Sequence, residues 1–521
     1  MSLNLDKLYD SNVLSNDDDG DHHHHHYTKR ATRSRFFQIL SICLQSILII
    51  LMILITIWFL VSKSNTNLSI SLKSLHLKQT IRNNGERKKS SPQNIYFDDD
   101  DDVDNDEVYN LPGLEFKQNF RHFSGYLMGS NETFLHYWFF ESQNDPDTDP
   151  IVVWLNGGPG CSSLIGALTE NGPFLITKHR RLSQNPFGWN IRASLLYLES
   201  PAGVGFSYNL HQEYRTNDTD TARKNANALE HFFEKFPHLK SNDLYISGES
   251  YGGIYVPMLT KFLIEKKSKS NVKGFIIGNG LFDHHFDLIS KPQYYYYHGL
   301  IDLDQWDRWR NACCRNQIEP ICNFNINLRN DCFESIKTIL TFDRNKFSSN
   351  SIPINLNRYN IYANCKQTVP FNNCFDLENL EAYLNQESVQ KVLHVQDRIL
   401  HHQQWSSCNK DVHSSYSNEI LSVKPFIHFL LKRGVRGLIY SGDIDIVCNF
   451  IGTEWFVHSL NLSSKSDYSP WIFSGQIGGF IKHYENLSFA TVRGAGHMVP
   501  SDRPGAAQQL FHNFLDGFDL N

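Results

Sequence analysis

Leu244-Tyr-Ile-Ser-Gly-Glu-Ser-Tyr-Gly-Gly253 decides the fold. Its first half is a short apolar run. Its second half is Gly248-x-Ser250-x-Gly252, and a helix-like stretch, Tyr255–Lys267, follows. A strand that turns sharply into a helix on this pattern lifts a serine hydroxyl above a sheet, at a helix N-terminus. The glycines let neighbouring backbone approach where a Cβ would clash. The bare pentapeptide arises often by chance. The strand before it and the helix after it favour a nucleophile-bearing turn over an ordinary glycine-rich one.

The strand form of this segment, Asp243–Ser247, recurs outward at Ile151–Leu155, Leu195–Leu198, Val272–Ile277 and Gly437–Tyr440. Each is short, apolar and closed by Gly, Ser or Asp. Such strands suit the middle of a sheet covered on both faces. Helix-like stretches such as Asp220–Phe236 lie between them, and His122–Met128 with Thr133–Ser142 reads as a hairpin around Gly129-Ser130-Asn131. Strand and helix alternate, so the fold class expected is α/β with crossover helices. Joined to the Ser250 turn, this is the α/β-hydrolase plan.

A serine hydroxyl is a weak nucleophile without a base and a group that orients the base. In this plan the partners follow in the order Asp or Glu, then His. Ile439-Tyr-Ser-Gly-Asp443-Ile-Asp445 ends a strand in two carboxylates, and Val492-Arg-Gly-Ala-Gly-His497-Met-Val-Pro500 sets a histidine on a glycine-flanked loop. Either alone reads as turn residues, and most of the 24 histidines must be structural or exposed. Their order and strand-end settings select Ser250, Asp445 and His497 as a triad. The oxyanion of acyl transfer needs two donors. The Tyr251 backbone N–H supplies one, and Trp154-Leu-Asn156-Gly157-Gly158-Pro-Gly160-Cys161 offers the glycine-rich loop for the other.

Composition excludes other classes. With 521 residues, 40% hydrophobic and 20% charged, the chain has ample material for a core and is not wholly disordered. A net charge of −6 argues against a dedicated nucleic-acid binder. No metal-ligand cluster accompanies the triad and no phosphate-cradling loop appears, so neither metal nor cofactor is expected.

The N-terminal quarter reads as an address and a tether. Residues 1–35 form a cytoplasmic disordered tail, in which His22–His26 is a solvated run rather than a metal site. Residues 36–61 carry no charge and are long enough to span a bilayer, which favours a transmembrane signal-anchor helix over a cleaved signal peptide. Lys29, Arg30, Arg33 and Arg35 crowd its N-terminal side. The expectation is a single-pass type II membrane protein of the secretory or endolysosomal pathway, its catalytic domain lumenal or extracellular. Residues 62–108 are a flexible stalk; Arg87-Lys88-Lys89 is a conceivable release site, though an ordinary charge run is the better reading. Residues 109–282 and 416–521 make the two parts of the core. Residues 283–415 break the rhythm and read as a cap insertion.

Taken together, these motifs resemble the serine carboxypeptidases. The matching stretches are Trp154–Ser163, Glu170-Asn-Gly-Pro173, Asn185–Asn190, Glu199–Tyr208, Gly248–Gly253, Tyr440–Leu460 and Gly496-His-Met-Val-Pro500. The resemblance spans about residues 110–518 and leaves out residues 1–108. It implies that Ser250 is the nucleophile, His497 the base and Asp445 the orienter, with Asp443 structural. It makes Gly158 and Tyr251 the oxyanion donors, and Asn156, Glu170 and Glu249 the holders of a peptide substrate's terminal carboxylate. An ionised Glu249 would repel that carboxylate, whereas a protonated one donates a hydrogen bond. Peptide hydrolysis is therefore expected to be best in mild acid and to fade as pH rises.

The resemblance also implies disulfides Cys161–Cys408, Cys313–Cys332, Cys314–Cys322 and Cys365–Cys374, although spacing alone leaves the Cys313/Cys314 pairing open. Cys448 is then a free thiol near the site. Sequons stand at Asn67, Asn131, Asn217, Asn461 and Asn486, as in a glycoprotein of the secretory route. Two rival functions share these residues: an acyltransferase using the same triad, and a scaffold for partner lysosomal glycosidases. A homodimer is left open.

Overall fold

The apolar runs become the middle of one sheet. The computed structural model describes residues 105–517, apart from 269, 315–330, 333, 336–346, 350–351, 366–376 and 396–403. β1 (His122–Ser130) and β2 (Thr133–Phe140) form the expected hairpin. β3 (Ile151–Leu155), β4 (Ser194–Leu198), the two-residue β5 (Tyr208–Asn209), β6 (Asp243–Ser250), β7 (Asn271–Gly280) and β8 (Arg436–Gly442) follow. β9 (Ser469–Phe473), β10 (Gln476–Tyr484) and β11 (Leu487–Val492) complete an eleven-stranded sheet. The spatial order is β1-β2-β4-β3-β6-β7-β8-β11-β10-β9, with β5 on β2. From β4 to β11 all neighbours are parallel, and both flanks are antiparallel.

Parallel strands need crossovers, and these cover both faces. On one face Leu155, Ile246, Ile277 and Ile439 pack against α2 (Asp218–Lys235) and α3 (Gly252–Glu265) through Leu229, Phe232, Val256 and Leu259. On the other, Trp154, Ile276 and Leu438 meet α1 (Leu164–Thr169) and α6 (Pro504–Asp516) through Leu168, Leu510 and Phe511. α4 (Lys424–Leu431) precedes β8, and α5 (Phe450–Ser459) follows it.

Two helices start earlier than their sequence suggests. Asn217 caps α2, its Oδ1 accepting from the Asp220 N–H at 2.7 Å. α3 begins at Gly252 because only Tyr251 separates it from β6.

Among the described residues, 283–415 contribute no strand to the large sheet. Ile289, Tyr294, Tyr295, Trp306 and Trp309 of this stretch instead pack with Ile446, Ile451 and Trp455 into a separate apolar cluster.

One expectation needs correction. Among the described residues no helix is long and apolar enough to cross a membrane, which overturns the assignment as a single-pass type II membrane protein. The tail 1–35, the apolar run 36–61, Asn67 and most of the stalk, on which that assignment rested, lie outside the described residues. The disulfides described below are consistent with a secreted or lumenal protein.

Candidate active site

β6 runs straight into Ser250, which takes φ +62° before α3 begins. A non-glycine residue in the left-handed region is strained and is held there only by its surroundings. Those surroundings are the loop after β3. A Cβ on Gly157 would stand 2.4 Å from the Tyr251 nitrogen and 2.8 Å from the Ser250 Cβ, so only glycine lets this loop press on the turn. Gly158 follows at φ +115°. The loop is pinned from outside by the Cys161–Cys408 disulfide, and the Asn409 N–H donates to the Gly160 carbonyl at 2.8 Å.

Asp445 and His497 meet. His497 Nδ1–H donates to Asp445 Oδ2 at 2.7 Å, and both side chains are buried. The carboxylate also accepts from the Val447 N–H (2.8 Å, Oδ1), the Cys448 N–H (3.1 Å, Oδ2) and the Asn279 amide (2.9 Å, Oδ2). The imidazole is fixed by its own chain as well. The His497 N–H donates to the Tyr359 carbonyl at 2.7 Å, and the Tyr359 ring stands edge-on to it at 5.0 Å. Asp443 Oδ1 accepts from the Gly494 N–H at 2.6 Å, tying the loop that carries His497 to the end of β8. Asp502 Oδ2 accepts from the Gly496 N–H at 2.7 Å. Ser250 and Asp445 thus sit at the C-terminal ends of β6 and β8, with only β7 between these strands.

The other carboxyls gather on the same edge. Glu249, Gly278 and Tyr440 stand opposite one another on β6, β7 and β8. Gly278 leaves its place in that row to the tyrosine: a Cβ there would lie 2.4 Å from Tyr440 Cζ. Glu170, at the C-terminal end of α1, is buried, as is Glu249. The two carboxyls interact, and two buried carboxyls so placed resist both being charged. Burial pushes Glu249 well above the usual carboxylate range, and the charge of Glu170 adds to it. Burial also raises Glu170, against the opposing effects of Glu249 and of the hydrogen bond it receives from Asn156. Of the two, Glu249 is the one held further toward its protonated form. Asn156 Nδ2 donates to Glu170 Oε1 at 3.3 Å, and its Oδ1 accepts from Trp154 Nε1 at 2.8 Å and the Gly166 N–H at 3.1 Å. Asn156, Glu170 and Glu249 are thus brought together.

Trp154, Asn279 and Asp502 were not singled out from the sequence. Trp154 was within reach, since it opens the glycine-rich stretch Trp154–Cys161. Asn279 and Asp502 gain their partners only through the fold.

Cys313–Cys332 forms as expected. Cys322 and Cys374, the expected partners of Cys314 and Cys365, lie outside the described residues. Cys448 is a free, buried thiol, and burial together with the Asp287 and Asp445 carboxylates holds its pKa well above the ordinary value. Asn131 and Asn486 occupy the turns β1–β2 and β10–β11, Asn217 caps α2, and Asn461 is exposed just beyond α5.

Comparison with known proteins identifies the family. The serine carboxypeptidase family profile matches residues 112–517. The lysosomal protective protein of Mus musculus is 39% identical over 460 residues, covering 79% of this chain and 94% of its own length. The serine carboxypeptidase ctsa-4.1 of Caenorhabditis elegans is 35% identical over 450 residues, covering 80% and 94%. A solved prohormone-processing carboxypeptidase from Saccharomyces cerevisiae superposes with a TM-score of 0.66 at 23% identity, covering 80% of this chain and 96% of that one, and so shares the fold. On its sequence and its sheet, this chain belongs to the serine carboxypeptidase family and is a hydrolase of the α/β-hydrolase fold.

Proposed function

We propose that the chain removes C-terminal residues from peptides through an acyl-enzyme, with Ser250 as nucleophile and with a preference for mild acid. Ser250 Oγ attacks the scissile carbonyl while His497 Nε2 takes its proton. Asp445 holds the imidazole in the tautomer that leaves Nε2 free to accept. The oxyanion is received by the Gly158 and Tyr251 N–H groups, which cost no reorganisation because Gly157 already presses the loop onto the turn. His497 then returns the proton to the leaving amino group, and the C-terminal residue departs. Water, activated by the same base, hydrolyses the ester on Ser250 and restores the hydroxyl.

The observation that carries the reading is the Glu249–Glu170 pair beside the Ser250 turn. A protonated Glu249 donates its O–H to a substrate's terminal carboxylate, and the Asn156 amide supplies a second donor. An endopeptidase or a simple esterase has no use for two buried carboxyls next to its nucleophile. An acyl acceptor other than water would use the same residues, and nothing in this pair favours it.

The test is mass spectrometry of peptide products at several pH values, with fluorophosphonate labelling to locate the nucleophile. Stepwise loss of C-terminal residues and an adduct on Ser250 are expected, and Ser250→Ala should lose both. Internal cleavage, or release that persists in Ser250→Ala, overturns the reading.

A further inference from the structure

Asn279 lies on β7, between the nucleophile strand and the strand that leads to Asp445. Its neighbours break the regular ladder there. Glu249 pairs with Gly278, but the next residue, Ser250, pairs with Gly280, so Asn279 is the extra residue of a bulge. Bulges re-aim a side chain and gather next to active sites. The backbone of Asn279 takes φ +40°, a conformation that asparagine tolerates better than most side chains. The residue is fully buried.

Both ends of its amide are used. Nδ2 donates to Asp445 Oδ2 at 2.9 Å, and Oδ1 accepts from the Gly442 N–H at 3.0 Å. The chemistry fixes this orientation, because the Gly442 N–H only donates and the carboxylate facing His497 accepts. The same Oδ2 takes the His497 Nδ1–H. Asn279 therefore locates the oxygen on which the imidazole is oriented, and does so by bridging to the last residue of β8.

We propose that Asn279 is a positioning residue for the triad: its amide holds the Asp445 carboxylate, through which it sets the tautomer and direction of His497. This rests on the triad reading above.

The test exchanges one atom. Asn279→Asp keeps the shape and still accepts from the Gly442 N–H, but it puts a carboxyl oxygen where Nδ2–H donates. Two carboxylates at that distance resist both being charged, so the pair holds a proton in acid and loses it as pH rises. In acid the protonated carboxyl of the variant restores the donor. Expected is a rate of Ser250 labelling by a fluorophosphonate near wild type at the acid end. The deficit should widen with pH to about 10–100-fold, the worth of one hydrogen bond to a charged group. His497 and Cys448 beside Asp445, and the Glu249, Glu170, Asp287, Asp443 and Asp502 carboxyls around the site, are common to both proteins, so the ratio to wild type isolates position 279. Peptide kcat should fall with the labelling rate while KM changes little.

A deficit that is constant with pH, or no deficit, overturns the proposal. Asn279→Gly accepts the backbone conformation and removes the amide; it should lose about 10–100-fold in labelling at every pH. If Asn279→Asp does not fold, unchanged labelling in Asn279→Gly overturns the proposal by itself. Failure of the carboxypeptidase reading would look different: wild type would label at Ser250 yet release no C-terminal residue.

Discussion

Asp445 and Glu249 are buried carboxyls at one edge of one sheet, and their surroundings treat them in opposite ways. Asp445 faces N–H donors: Val447, Cys448, the Asn279 amide and the His497 imidazole. Glu249 faces another carboxyl, Glu170, and is pushed well above the usual range by burial and by that neighbour. A carboxylate ringed by donors can orient a base. A carboxyl forced to keep its proton can donate to an anion. In the proposed mechanism one functional group thus takes two roles, set by what lies opposite it.

The comparison breaks hardest at Asp445. Asp445→Asn turns an acceptor toward donors and presents the wrong partner to His497 Nδ1. A loss of about 10⁴-fold in kcat is expected with little change in melting temperature, the size that such a change has in Ser-His-Asp sites. Steady-state kinetics at the wild-type optimum measures it, and a loss under tenfold would contradict the assigned role.

Glu249→Gln sharpens the other side. The amide still donates but no longer titrates. In mild acid the variant should stay close to wild type. As pH rises through the Glu249 pKa, wild-type peptide hydrolysis should fall away from the variant by up to about tenfold per pH unit. A variant profile parallel to wild type would show that Glu249 does not set the pH dependence.

The smallest effect is on stability. Glu249 keeps in the folded state a proton that the unfolded chain releases near the ordinary value of 4.5. The folded state then binds more protons than the unfolded, so stability falls as pH rises above that value, until the folded-state pKa is passed. The slope is about 1.4 kcal/mol per pH unit for one proton. Urea titrations at a series of pH values should show a shallower decline for Glu249→Gln than for wild type.

The same contrast explains what the sequence made legible. The Ser250 turn and the Gly157-Gly158 loop are local devices, where glycine spacing and strand–turn–helix order carry the information. Asp445 and His497 were reached through chain order, and Glu249 and Glu170 through family resemblance. Asn279 could not be reached either way. It stands in a Gly-Asn-Gly run that reads as a strand end, and its partner Asp445 is 166 residues away. The β9–β10 hairpin was missed for another reason. Gly478 and Gly479 interrupt its alternation, and it leaves Ile472, Ile477 and Phe480 exposed, so it lacks the clean apolar signature of the central strands. The apolar run 36–61 lies outside the described residues, and among those described no helix is long and apolar enough to cross a membrane.

The most direct measurement compares kcat/KM for a blocked peptide ending in a free carboxylate with the same peptide ending in an amide, from about pH 4 to about pH 8. The account predicts that the free-acid peptide is preferred in acid and that its advantage collapses as Glu249 ionises, while the amide-ended peptide shows no such decline. Two profiles that run parallel across the range would contradict it.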